Sequence, residues 1–111
     1  MKEILLQNIK NYLSSGDLVY SKEDYTSATI LYAKCFFSSI DYILLAKTGI
    51  IPKNHADRFA LVKNYDISLY GELKIAFDIY RDTYTLQIEK RKCDEMRKYA
   101  KEIAARQKIQ I

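Results

Sequence analysis

From about Glu23 to Thr48 the chain contains neither glycine nor proline, and its apolar residues recur at helical spacing. Tyr25, Ala28, Tyr32, Phe36, Ile40, Ile43 and Leu44 form one stripe, and Ala33, Cys35 and Phe37 widen it well past the narrow seam of a coiled coil. A helix apolar over so much of its circumference has to be covered on several sides, so it is expected at the centre of a bundle. Gly49 stands where a left-handed C-terminal cap is wanted, and Ile51-Pro52 follows as a stop. With three Gly and one Pro among 111 residues, the chain lacks the many tight turns of a barrel or sandwich.

The remaining punctuation sets four further helices around this one. Ile4, Leu5, Ile9, Tyr12 and Leu13 recur at amphipathic spacing before Ser14-Ser15-Gly16 interrupts or weakens the pattern. A glycine inside a helix costs up to about 1 kcal/mol, which leaves open whether this helix runs on through Leu18 and Tyr20. Ser21-Lys22-Glu23-Asp24 reads as an N-cap serine with acids in the first turn of the central helix. Asn54-His55-Ala56-Asp57 opens a short helix through Phe59, Leu61 and Val62. Asp66 or Ser68 opens another, with Leu69, Leu73, Ala76, Phe77 and Tyr80 on one face, continuing through Tyr84; Gly71 weakens its first turns. From Glu89 a last helix has Met96, Tyr99, Ala100 and Ile103 on its apolar side, with Asp94/Lys98 and Glu102/Arg106 as i,i+4 pairs. No strand pattern, repeat or linker competes. The expectation is a single all-α domain spanning residues 1–111, an up-and-down bundle of four to five helices.

Composition closes several functional classes. The longest apolar run, Tyr42 to Ala46, falls far short of the ~20 residues of a spanning helix, and the first residues, with Glu3 among them, lack the apolar stretch of a secretory signal. Cys35 and Cys93 have no C-x-x-C spacing, which excludes a metal knot and argues against a disulfide framework. A reducing cytoplasm and no membrane are therefore expected, with no cofactor and no metal. The net charge of +4 is local: residues 1–88 hold 10 basic against 10 acidic residues, and residues 89–111 hold 8 against 4. Lys90, Arg91, Lys92, Arg97, Lys98, Lys101, Arg106 and Lys108 are spread around the last helix among acids. That distribution reads either as a solvated face or as a patch for RNA or another anionic surface.

The short stretch Ile79-Tyr80-Arg81-Asp82-Thr83-Tyr84 is the most informative for chemistry. On a helix Tyr80 and Tyr84 lie one turn apart with Arg81 beside Tyr84, a cationic fork next to a stacking surface that suits phosphate or a base. The plainer reading pairs Arg81 with a carboxylate of the bundle and leaves the tyrosines at the core edge. Asp41 sits among apolar neighbours on the central helix and needs either solvent or a cation; Arg81 and Arg58 are its plausible partners in a structural ion pair. His55, the single histidine, falls in the first turn of a short helix, where most histidines are solvated; alone it makes no metal site. No phosphate loop, nucleophile elbow or Cys/His pairing is present. Ten tyrosines spread over every helix fit a core boundary, though an exposed tyrosine-rich face would suit a dimer interface.

The layout of Gly16-Asp17, Tyr25-x-x-Ala28, a long Tyr/Ala/Phe helix ending in Leu44-Leu45-Ala46-Lys47-Thr48-Gly49, then Pro52-Lys53-Asn54-His55 and Tyr80-Arg81-Asp82-Thr83-Tyr84, resembles the HEPN domain (higher eukaryotes and prokaryotes nucleotide-binding). The likeness is to its small stand-alone prokaryotic members related to toxin–antitoxin systems. It implies a helical bundle that commonly dimerises, and in active members a metal-independent ribonuclease whose motif is an Arg and a polar residue followed four to six residues later by a His. Arg81 and Asp82 match the start of that motif and Tyr84 its accompanying aromatic, but Leu86, Gln87 and Ile88 occupy the histidine window. Leu cannot accept or donate the protons that cleavage by a 2′-hydroxyl requires. The resemblance thus implies a homodimer that binds nucleotide or RNA phosphate through Arg81, Asp82, Tyr84 and Tyr80. Two other functions stay open: a module that pairs with a nucleotidyltransferase-like partner, and a weak ribonuclease that uses His55 with Arg81.

Overall fold

The structure is a computed structural model that describes residues 1–107. Five helices follow one another: α1 (Lys2–Ser21), α2 (Tyr25–Thr48), α3 (His55–Tyr65), α4 (Ile67–Asp82) and α5 (Lys90–Arg106). There is no strand among the described residues, and the expected all-α bundle is what forms. α2 touches each of the other four helices. Its Tyr32, Ala33, Cys35, Phe36, Ile40 and Leu44 are fully buried, as a stripe that wide requires. One apolar cluster joins α2 to Ile9 and Leu13 of α1, Val62 of α3, Leu73 and Ala76 of α4, and Met96 and Ile103 of α5. The radius of gyration, 13.2 Å, is that of a single packed domain of this length, for which ~13 Å is expected.

By length and composition α2 could cross a membrane, with an 18-residue stretch of mean hydropathy 1.4. Counting uninterrupted apolar runs overlooks this, because Lys34, Ser38, Ser39 and Asp41 break the runs without lowering the average much. Of that stretch 61% is buried among the other helices, so its hydrophobicity is that of a bundle core.

Gly16 does not interrupt α1, which continues to Ser21. A Cβ at Gly16 would lie 2.9 Å from Tyr32 Cε1, so glycine is there to let the Tyr32 ring lie against the α1 backbone. The next residue receives that ring's hydroxyl: Tyr32 donates to Asp17 Oδ1 at 2.5 Å. Ser21 is consequently the last residue of α1 and not the cap of α2. The cap is Asp24, whose Oδ1 accepts from the Ser27 amide at 3.1 Å, and Glu23, with φ 63°, makes the reversal between the helices.

At its other end α2 closes on Gly49 with φ 76°, whose amide donates to the Leu45 carbonyl. Asn54 caps α3 as expected, accepting from the Asp57 amide at 2.8 Å. Asp57 reaches back to accept from the Lys53 amide at 2.9 Å. Asp66 alone separates α3 from α4, accepting from the amides of Ser68 and Leu69. α4 stops at Asp82, two residues short of Tyr84, where Thr83 turns its hydroxyl onto the Tyr80 carbonyl at 2.6 Å.

The ion pairs of α5 differ from those expected. Asp94 takes Lys90 at 3.2 Å and also the Tyr20 hydroxyl at 2.5 Å, so it turns toward α1 rather than toward Lys98. Lys98 pairs with Glu102 instead, and Arg106 reaches Glu72 of α4 at 3.1 Å. Two i,i+4 pairs thus form within α5, in a different register from the expected one, while Arg106 takes a cross-helix partner because α5 packs beside α4.

Candidate functional site

α2 sends Lys34, Phe37, Ser38 and Asp41 to one side at spacings of three, one and three, a single helical face. Tyr12 of α1, His55 and Arg58 of α3 and Tyr80 of α4 meet that face, and together these eight residues line a cleft of about 210 Å³.

Arg58 organises the cleft. Its Nε donates to Asp41 Oδ1 at 2.7 Å and its Nη2 to Asp41 Oδ2 at 2.9 Å, the two-pronged geometry that a guanidinium shares with a carboxylate. The side chains are 11% and 13% exposed, so this is the structural ion pair expected of Asp41. Of the two candidate partners, Arg58 takes the role and Arg81 does not. Arg58 also stacks over the Phe37 ring, 5.3 Å from its centroid.

The third contact of Arg58 fixes the chemistry of His55. Arg58 Nη1 lies 2.8 Å from His55 Nδ1. A guanidinium only donates, so Nδ1 accepts and the ring proton sits on Nε2. The imidazole is half-buried and packs edge-on to Phe37 and Phe77, with centroids 5.1 and 5.0 Å away. It is therefore not a solvated surface residue. Burial, and then the Arg58 charge, hold its pKa below the ordinary 6.5, so it is neutral at pH 7. No protein partner meets Nε2 among the described residues, and no buried side-chain nitrogen or oxygen there lacks one; Nε2–H is accordingly open to solvent.

Charge in the cleft is simple. Asp41 and Arg58 cancel, His55 is neutral, and Lys34, exposed at the rim, has no ion-pair partner among the described residues. One positive charge remains, surrounded by the donors His55 Nε2–H, Ser38 and Tyr12 and a wall formed by the Tyr80 ring.

The candidate residues of the Tyr-Arg-Asp-Thr-Tyr stretch divide. Tyr80 is buried in the cleft wall, and its hydroxyl is 3.1 Å from that of Tyr84. Tyr84 is 71% exposed beyond the end of α4. Arg81 pairs with Asp78 one turn back at 3.2 Å, both side chains more than 60% exposed, and neither Arg81 nor Asp82 lines the cleft. His55 and Arg81 do not share that cleft.

Sequence reasoning missed Lys34 and Ser38 and gave Arg58 only a possible partnership. Their signal is a polar row, Lys34, Ser38 and Asp41, one side chain per turn on a helix otherwise apolar there, with His55 and Arg58 as an i,i+3 pair.

On α5 the basic residues are largely engaged. Lys90, Lys92, Arg97, Lys98, Lys101 and Arg106 each lie within 4.0 Å of a carboxylate, two of them on Asp17. Arg91 has no such partner among the described residues, and Lys108 lies outside them. Arg97 also covers the Tyr20 ring at 5.1 Å. Most tyrosines sit at the core boundary, with Tyr65 and Tyr84 the exposed ones among them.

Comparison with protein-family models, with curated proteins and with solved structures gives no match.

Proposed function

We propose that this chain is a HEPN-like, cytoplasmic bundle that binds nucleotide or RNA phosphate in the cleft between α1, α2, α3 and α4. The observation that carries the reading is the surplus positive charge of Lys34 beside the outward Nε2–H of His55, in a hollow that is concave, polar and aromatic together. An unpaired ammonium and neutral donors around a small hollow are complementary to an oxyanion.

The reading gives binding rather than hydrolysis. A proton acceptor would need a free imidazole lone pair, and the one at Nδ1 is taken by Arg58. Arg81 has no contact within the cleft in this reading; Tyr80 supplies the flat surface and Tyr84 stands behind its hydroxyl.

Titration of a labelled oligoribonucleotide and of ATP against the wild type, Lys34→Ala and Arg81→Ala tests it. Saturable binding that weakens in Lys34→Ala and survives in Arg81→Ala is expected. No binding by the wild type, or loss only in Arg81→Ala, contradicts it.

A further inference from the structure

We infer that Asp41 and Arg58 act as a clamp that keeps His55 a neutral Nε2–H donor, and that the cleft so built receives one singly charged phosphodiester. The inference rests on the reading that the cleft binds phosphate and specifies which phosphate.

The clamp follows from three contacts in a row. Asp41 holds Arg58 at both oxygens, 2.7 and 2.9 Å, and Arg58 passes a third N–H to His55 Nδ1 at 2.8 Å. Protonating Nδ1 would set an N–H against a guanidinium N–H, so the ring resists a second proton. Every charged or titratable group lining the hollow around the imidazole is accounted for: Tyr12 from α1, Lys34 and Asp41 from α2, Arg58 from α3 and Tyr80 from α4. Arg58 and Lys34 disfavour the imidazolium, and Asp41, the one acid, favours it by less than burial and the Arg58 charge oppose it. His55 is therefore a positioned donor and not a proton shuttle.

The ligand class follows from charge and size. The cleft has one net positive charge. A phosphodiester carries one negative charge and matches it, whereas a terminal phosphate carries about −1.5 to −2 at pH 7 and leaves a surplus that no second unpaired cation in the cleft neutralises. Because both Asp41 oxygens face Arg58, the cleft offers a divalent cation no uncommitted carboxylate with which to absorb that surplus. A volume of about 210 Å³ is below the ~300 Å³ at which pockets for whole small molecules begin. It fits one phosphate and part of an attached group.

Calorimetric titration with a dinucleoside monophosphate, with AMP and with adenosine, each in EDTA and in Mg²⁺, separates the alternatives. The dinucleotide should bind without Mg²⁺, and AMP at least about ten-fold more weakly. Tighter binding of AMP, or a requirement for Mg²⁺, overturns this inference and leaves the phosphate reading standing. Failure of every phosphate to bind removes the reading itself.

The clamp has its own readout. His55 is the single histidine, so long-range ¹H–¹⁵N spectra report it without assignment. The Nε2–H tautomer should dominate at pH 8 and the ring should titrate below the ordinary 6.5, and Arg58→Met, which removes the N–H at Nδ1 together with its charge, should raise that midpoint. An Nδ1–H tautomer, or ordinary titration in the wild type, overturns the clamp. His55→Gln, which keeps a donor, should retain dinucleotide binding that His55→Leu loses; equal loss in two folded variants also overturns it.

Discussion

Arg58 grips Asp41 through two nitrogens, at 2.7 and 2.9 Å, across the space between α3 and α2. The pair does two jobs at once: it brings a carboxylate into the bundle without leaving it unpaired, and it orients the only imidazole. Breaking such a pair from one side strands a charge at a site about a tenth exposed. Asp41→Leu and Arg58→Met should each destabilise the fold by about 3–5 kcal/mol, and the double variant Asp41→Leu/Arg58→Met should recover most of that loss. Chemical denaturation of the three proteins measures it, and a double variant as unstable as the sum of the singles would show that the pair holds no shared energy.

Two glycines in helices should respond in opposite directions to alanine. At Gly16 the new methyl would sit 2.9 Å from the fully buried Tyr32 ring, which is also anchored by its hydroxyl to Asp17. Overpacking there should cost about 1–3 kcal/mol net, despite the gain in helix propensity. Around Gly71 nothing lies within 4 Å, so Gly71→Ala should stabilise by about 0.5–1 kcal/mol. Thermal melts of both variants decide whether Gly16 is a contact glycine or merely a weak point in α1.

The bundle should lose stability in two steps on acidification. His55 has a folded pKa below its ordinary 6.5, so between those values the unfolded chain binds more protons. Its contribution is complete above pH 6.5 and is lost as the pH falls through the lowered folded value. Asp17 is raised by burial but lowered further by the Tyr32 hydroxyl, Lys101 and Arg97, and Asp94 is lowered chiefly by the Tyr20 hydroxyl. Their stability is present above the ordinary 3.8 and goes as the pH falls through their depressed folded values. Melting temperature against pH should show a plateau above 6.5 and declines below it, and His55→Gln should remove the upper step alone.

Much of the fold is legible in the residues themselves. The width of the stripe from Tyr25 to Leu44 announces a central helix, and Gly49, Asn54 and Asp66 mark boundaries by local chemistry that needs no tertiary partner. Errors arise where a distant residue decides. Gly16 reads as a break until Tyr32 is seen to occupy the space its side chain would fill. Arg106 takes Glu72 on α4 over Glu102 one turn away, and Asp94 turns to Lys90 and the Tyr20 hydroxyl of α1 and not to Lys98. The site divides the same way. Asp41 is conspicuous as an acid in an apolar run, but its partner lies 17 residues on, and only packing selects Arg58 over Arg81. Lys34 and Ser38 look like ordinary polar interruptions until α3 and α4 close over them.

Lys34 is the one cleft cation without a carboxylate among the described residues. Removing a charge-assisted contact to a phosphate should cost about 1.5–3 kcal/mol, so Lys34→Ala should weaken dinucleotide binding by about ten-fold or more, with stability nearly unchanged because the side chain is exposed. Arg81→Ala should alter neither by a measurable amount. Affinity and melting temperature measured on the same samples test both statements.

The most direct measurement is a map of amide chemical shifts in ¹⁵N-labelled protein as a dinucleoside monophosphate is added. The account predicts that the largest changes fall on Tyr12, Lys34, Ser38, His55 and Arg58, the residues that line one cleft from three helices. Changes centred instead on Arg81 and Asp82 at the exposed end of α4, or along the basic face of α5, would contradict it.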